Sequence, residues 1–160
     1  MDSFFNDYRM EIVFIHVISG VIWVGGMISM RFAAHFGFAK IENPSLRLEV
    51  TAEALKRLFR IVLPFVLLLA ATGAVLTIGY GIKYTSFHYL THIKEAIWGI
   101  MFINLIMMII RRNKAQKALQ NGEFAEAGRL LGLIGKYMVP ANIILGMLAI
   151  AFGALLRVNL

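Results

Sequence analysis

The chain has 160 residues, a net charge of +7 and 59% hydrophobic residues, with a mean hydropathy of +0.75, whereas an ordinary soluble domain carries roughly 45–50% apolar residues. It contains no cysteine, which excludes a disulfide framework, thiolate metal sites, iron–sulfur clusters and covalent c-type haem. The length predicts a single unit over residues 1–160, and the first apolar stretch is too long, and lacks the small-residue cleavage site, for a removable signal peptide.

A helix needs about 20 apolar residues to cross hydrocarbon, and four stretches meet or approach that length. The first, about residues 10–31, contains FIHVISGVIWVGGMISMRFAAHF, with Glu11 and His16 as its ionisable groups before Arg31. Within it His16, Gly20, Trp23 and Met27 follow steps of four, three and four, so they share one helical stripe; Gly25 and Gly26 are small enough for close helix packing. The next segment, ENPSLRLEVTAEALKRLFR, offers Asn43 as an N-cap and Pro44 in the first turn, predicting a helix that runs directly into the second span, about residues 58–80. The third span, about residues 87–110, is uncharged from Ala96 onward but carries His88, His92, Lys94 and Glu95 in its first turns. The segment NGEFAEAGRLLGLIGKY then predicts a second helical extension leading into the fourth span, about residues 136–157. Neither extension contains a phosphate loop, a carboxylate pair at catalytic spacing or a serine nucleophile motif.

Since every backbone polar group must be satisfied inside lipid, the spans must be helices. The expectation is an all-α integral membrane four-helix bundle with cytoplasmic helical extensions. Lys and Arg set its orientation. Between spans one and two lie Arg31, Lys40, Arg47, Lys56, Arg57 and Arg60; between three and four lie Arg111, Arg112, Lys114, Lys117, Arg129 and Lys136. The opposite side has Arg9, Lys83, Lys94 and Arg157. The positive-inside rule therefore places both basic segments in the cytoplasm and both termini outside a cytoplasmic (inner) membrane. On this reading the basic charge sets topology and contacts anionic lipid, and no nucleic acid is needed to account for it.

Spans one and three run in the same direction, and His16 and His92 each lie about a turn and a half below the outer surface. His88 sits one turn above His92, and His35 with Arg31 marks the cytoplasmic end of span one. In an up-and-down bundle the two spans are diagonal, so two histidines at one depth predict axial ligation of haem b iron by His16 and His92. Lys94, Arg9, Lys83 and Arg157 lie on the side where propionates would emerge. An ionisable residue inside a membrane is a functional candidate by default. Met27 and Met30 remain further candidate ligands, while the other methionines read as core filler.

The order His16, six intervening residues, Trp23, a glycine, Arg31 and His35 resembles span one of the HemJ-type protoporphyrinogen oxidase family and its relatives among the CopD-like membrane proteins. Span two, LKRLFRIVLPFVLLLAATG, is similar in its basic, aromatic-bearing approach followed by Pro64 and Gly73, and THIKEAIW of span three resembles that family's His-x-Lys pair. The resemblance implies that His16 is a haem-b axial ligand and that Trp23, Arg31, Arg60, His92 and Lys94 fall on functional positions. Gly20, Trp23, Met27 and Lys94 would line the cofactor, and Arg31, Arg60 and Lys94 would serve catalysis by pairing the propionates of a porphyrin substrate. The chain departs from the family before span four, where YMVP keeps Pro140 without the acidic residue. The expected function is a membrane b-type haem redox protein, with oxidation of protoporphyrinogen IX to protoporphyrin IX as its candidate reaction. Electrons would pass to quinone or another acceptor. The alternative is a copper-binding or copper-transport protein without enzymatic activity, built on His88, His92, His16 and methionines of the outer side. Assembly into a homo-oligomer stays open.

Overall fold

Long apolar runs leave the backbone of this chain no partner but itself. The structure, a computed structural model that describes residues 2–82 and 88–158, is helical, with no strand among the described residues. A short helix α1 (Asp2–Asp7) precedes α2 (Arg9–Ser29), which continues through a π turn at Met30–Ala34 into α3 (His35–Ala39). Helix α4 covers Pro44–Gly79, α5 covers His88–Gln120 and α6 covers Phe124–Leu133; a second π turn at Ile134–Met138 joins α6 to α7 (Val139–Val158). The π turns do not break their helices, so four continuous rods result: Arg9–Ala39, Pro44–Gly79, His88–Gln120 and Phe124–Val158.

Each rod is long and apolar enough to cross a membrane. At about 1.5 Å per residue, each is also roughly 45–54 Å long, well beyond the hydrocarbon thickness of about 30 Å. In the first and third rods the excess is residues 32–39 and 111–120, which continue the spans beyond their expected ends; in the second and fourth it is the pair of predicted extensions. Asn43 begins the longer one as expected: its Oδ1 accepts from the backbone N–H of Ser45 at 3.0 Å and of Leu46 at 3.3 Å. Phe87, the expected start of span three, and Lys83 lie outside the described residues.

The outward faces confirm the solvent. Phe14 is 66% exposed, and Ile103 and Ile144 are each 62% exposed. A water-soluble bundle would turn such residues inward, so their position marks a multi-pass membrane protein. Inside, α2 packs on α4 and α7, and α5 packs on the same two helices, which makes α2 and α5 diagonal. The core joins Trp23 and Met27 of α2 to Val62 and Val66 of α4, Met101 and Leu105 of α5, and Val139 of α7. Glycine sets two of the approaches. A methyl group added at Gly26 would lie 2.9 Å from a Leu58 methyl, and one at Gly146 would lie 2.5 Å from a Val24 methyl. Gly25 faces nothing within 4 Å, so only the second glycine of the pair serves packing.

Two polar features fix the register. Asn104 donates to the Met138 carbonyl at 2.8 Å and to Asn142 Oδ1 at 2.7 Å, while Asn142 donates to the Met101 carbonyl at 3.3 Å. These bonds tie α5 to α7 in mid-bundle, where no water competes for them. Nearer the basic end, the buried Arg112 of α5 donates to the Ala52 carbonyl of α4 at 2.8 Å and to Gln116 at 3.0 Å, with Glu53 at 3.9 Å. That guanidinium locks the α4 extension against α5.

Candidate functional site

The stripe on α2 faces the bundle interior. Trp23 and Met27 are buried in the core, and Gly20 lies against Leu69 of α4. One turn above Gly20, His16 is half-buried against α4, where its Nδ1 meets Thr72 Oγ1 at 2.9 Å. The Thr72 hydroxyl has one proton, and it is already donated to the Leu68 carbonyl at 2.6 Å. Thr72 Oγ1 is thus placed to accept from His16 Nδ1–H, and the Leu69 backbone of α4 also bonds to the ring. The neighbouring Gly73 makes the fit possible, since a methyl group there would lie 3.3 Å from His16 Cε1.

Across the bundle, α5 brings Lys94, not His92, to this level. The Lys94 ammonium is half-buried beside Gly153 of α7, 3.2 Å from where a methyl group on that glycine would lie, and its charge acts on the His16 ring. His92 is two residues away on the helix and so points roughly oppositely: its side chain is 69% exposed and its Nδ1 lies 3.2 Å from Glu95 Oε2. The expected pairing of His16 with His92 is thus corrected. Depth was matched, but helical phase was not. The buried face of α5 runs through Leu90, Ile97, Met101 and Leu105, and Lys94 lies on it while His92 does not.

Comparison with protein-family models, with curated proteins and with solved structures yields no match. The site must therefore be judged on its own chemistry.

For a haem, the donor set fits attachment through one imidazole. His16 is oriented through Nδ1 by a hydroxyl, the arrangement that holds ligating histidines in place. Two buried polar atoms among the described residues have no hydrogen-bond partner: Trp23 Nε1, on the same stripe, and Thr91 Oγ1, at the head of α5. Both are donors left open in the interior of the bundle. A second imidazole facing His16 is not present among the described residues, and no three His, Asp or Glu side chains there gather at metal-holding distance. His88 and His92 stand one turn apart on the outward face, their rings 6.2 Å apart and edge to face.

The remaining expected site residues are dispersed. Arg9 of the outer end is committed to Tyr80, donating to its hydroxyl at 3.0 Å. Arg60 is exposed on α4. Arg31 lies fifteen residues beyond His16 on the same rod, about 22 Å along the axis at the helical rise. One substrate held at His16 therefore cannot also reach Arg31, and the expected trio of Arg31, Arg60 and Lys94 does not assemble. Arg31 instead lines a separate cleft of about 640 Å³ at the basic end of the bundle, together with His35, Arg47 and Lys136. No local pattern in the chain announces this cleft, because its walls come from three distant segments.

Proposed function

We propose that the chain is a membrane b-type haem-binding redox protein, with His16 as the iron ligand and Lys94 as the cation of the same site. The observation that supports this reading is the placing of His16: an imidazole inside a bundle, oriented through its Nδ1 by the Thr72 hydroxyl, which on this reading leaves Nε2 as the ligand nitrogen. A histidine kept only for helix packing has no need of an open ligand nitrogen, whereas a metal ligand requires one. Haem would supply one-electron redox chemistry, which the side chains of this chain lack. The protein's part is to orient the imidazole through Thr72, to hold a cation at Lys94 against an anionic group, and to exclude water with the Trp23 and Met27 core. The resemblance in spans one to three makes protoporphyrinogen IX the candidate substrate and quinone the candidate acceptor. The positive-inside distribution of charge supports a cytoplasmic membrane with both termini outside.

Purified protein is expected to show a Soret band, with α and β bands sharpening on dithionite reduction, and His16→Ala is expected to lose most of it. Complementation of a strain lacking its own protoporphyrinogen oxidase tests the reaction separately; a haem-loaded chain that fails to complement retains the haem assignment and loses the substrate. The paired rings of His88 and His92 favour a second reading, an outward copper site without enzymatic activity. A colourless preparation that binds copper stoichiometrically, and loses it in His88→Ala, would select that reading.

A further inference from the structure

The cleft at the basic end stands apart from the His16 site and has its own construction. One wall is the first π turn with α3, a second is the start of α4, and the third is α6 with the second π turn. The two π turns of the described chain thus face the same space. Such turns, each holding an extra residue within a helix, occur mostly as single bulges and are frequent at functional sites.

Its charge is one-sided. Arg31, Arg47 and Lys136 line the cleft, and no carboxylate among the described residues lies within ion-pair distance of any of them. Arg129 also lines it but is already paired to Glu126 at 2.7 Å. Deeper in, the lining is apolar, with Leu55, Leu131 and Val139. Two glycines, Gly132 and Gly135, keep part of the wall flat: a methyl group added at either would meet nothing within 4 Å.

The level of the cleft decides its ligand. Arg31 ends the apolar run of α2, and Lys136 immediately precedes that of the fourth rod, so both lie where hydrocarbon gives way to head groups. With Arg47 further out on the α4 extension, and Lys136 over the Tyr137 ring, these cations have no carboxylate partner among the described residues and stand beside an apolar floor, complementary to a phosphodiester carrying acyl chains. We infer that this cleft is a binding site for the head group of an anionic phospholipid, held by Arg31, Arg47 and Lys136 between the two π turns. The same cations would accept free phosphate, but a soluble anion makes no use of the apolar floor.

The test uses the full chain in detergent and follows thermal unfolding as phosphatidylglycerol, phosphatidylcholine or inorganic phosphate is added, with retained lipid counted by native mass spectrometry. Phosphatidylglycerol is expected to raise the Tm saturably, and the other two probes are not. Each cation near a membrane surface contributes about fivefold to affinity for anionic lipid, so Arg31→Gln, Arg47→Gln and Lys136→Gln together should weaken binding by about a hundredfold. The triple variant Lys40→Gln, Lys114→Gln and Lys117→Gln removes the same charge elsewhere and should bind as the parent does. Gly132→Leu keeps every cation while filling the wall, and should abolish the saturable shift with the lipid-free Tm preserved; it carries the test if the site triple fails to fold. Equal weakening in the control triple would overturn the site in favour of a diffuse field. Undiminished binding by Gly132→Leu, or equal stabilisation by inorganic phosphate, would overturn the lipid assignment.

Discussion

Thr72→Val removes one oxygen from the proposed haem site and leaves the shape of the side chain nearly intact. In the parent, His16 donates to Thr72 Oγ1 at 2.9 Å, and the Thr72 proton goes to the Leu68 carbonyl at 2.6 Å. The second bond matters little to the fold, because the threonine merely adds a donor to a helical carbonyl. The first is an interhelical bond between α2 and α4, and such bonds in membrane bundles average about 0.6 kcal/mol with a maximum near 1.7. The loss of fold stability is therefore bounded at about 1.7 kcal/mol. The effect on the cofactor should be larger, since the outer partner of a ligating histidine is typically worth 10–100-fold in metal affinity, or about 1.4–2.7 kcal/mol. Without it the ring can turn about χ2 and the proton can sit on either nitrogen. The assay is haem transfer from the reduced protein to an excess of an apo-acceptor, followed at the Soret band, with thermal unfolding of the haem-free form run in parallel. Thr72→Val should release haem at least tenfold faster, and Thr72→Ser, which restores the hydroxyl, should recover most of the retention. Parent-like retention in Thr72→Val, with His16→Ala still losing haem, would refute the claim that this hydroxyl sets the tautomer.

Other substitutions separate the remaining parts. His92→Ala should retain nearly all the haem, because its side chain is outward and paired with Glu95, whereas His16→Ala should not; equal loss of the Soret band in both would restore the bis-histidine arrangement. Asn142→Ala gives up the bonds to Asn104 and to the Met101 carbonyl and should cost about 1–2 kcal/mol in reversible unfolding, with no change expected in the haem spectrum. Gly146→Ala places a methyl group 2.5 Å from Val24 and should destabilise by about 1–3 kcal/mol. Gly25→Ala meets nothing and should be neutral or gain up to about 1 kcal/mol from helix propensity; identical melting of these two glycine variants would refute the close α2–α7 approach. A reporter active only in the cytoplasm, fused at Gln120, should be active and one fused after Leu160 inactive, and the reverse would overturn the orientation drawn from Lys and Arg.

The four rods were legible because their signals are local. Apolar length, the Asn43-Pro44 helix start and the uncharged runs at residues 61–80 and 137–156 each act through a few adjacent residues, and the bilayer leaves the backbone no alternative to a helix. The stripe of His16, Gly20, Trp23 and Met27 was legible for the same reason, since one helical period suffices to define it. The partner of His16 was within reach of the same periodicity: Leu90, Lys94, Ile97 and Met101 keep one phase on α5, and His92 breaks it. Matching depth alone selected the wrong side of that helix. Other features had no local signal. That Thr72 rather than another polar residue takes the His16 proton depends on the rotation of α4 against α2. That Arg112 is buried against the Ala52 carbonyl, instead of joining the exposed basic residues around it, depends on how the α4 extension lies along α5. The basic cleft required segments around residues 31, 47 and 136 to converge, with Arg129 already neutralised by Glu126 and the other cations left without a carboxylate among the described residues. Composition fixes how much charge a chain carries, but only packing decides which charges meet a partner, because ion pairing acts over a few ångströms and sequence separation sets no such distance.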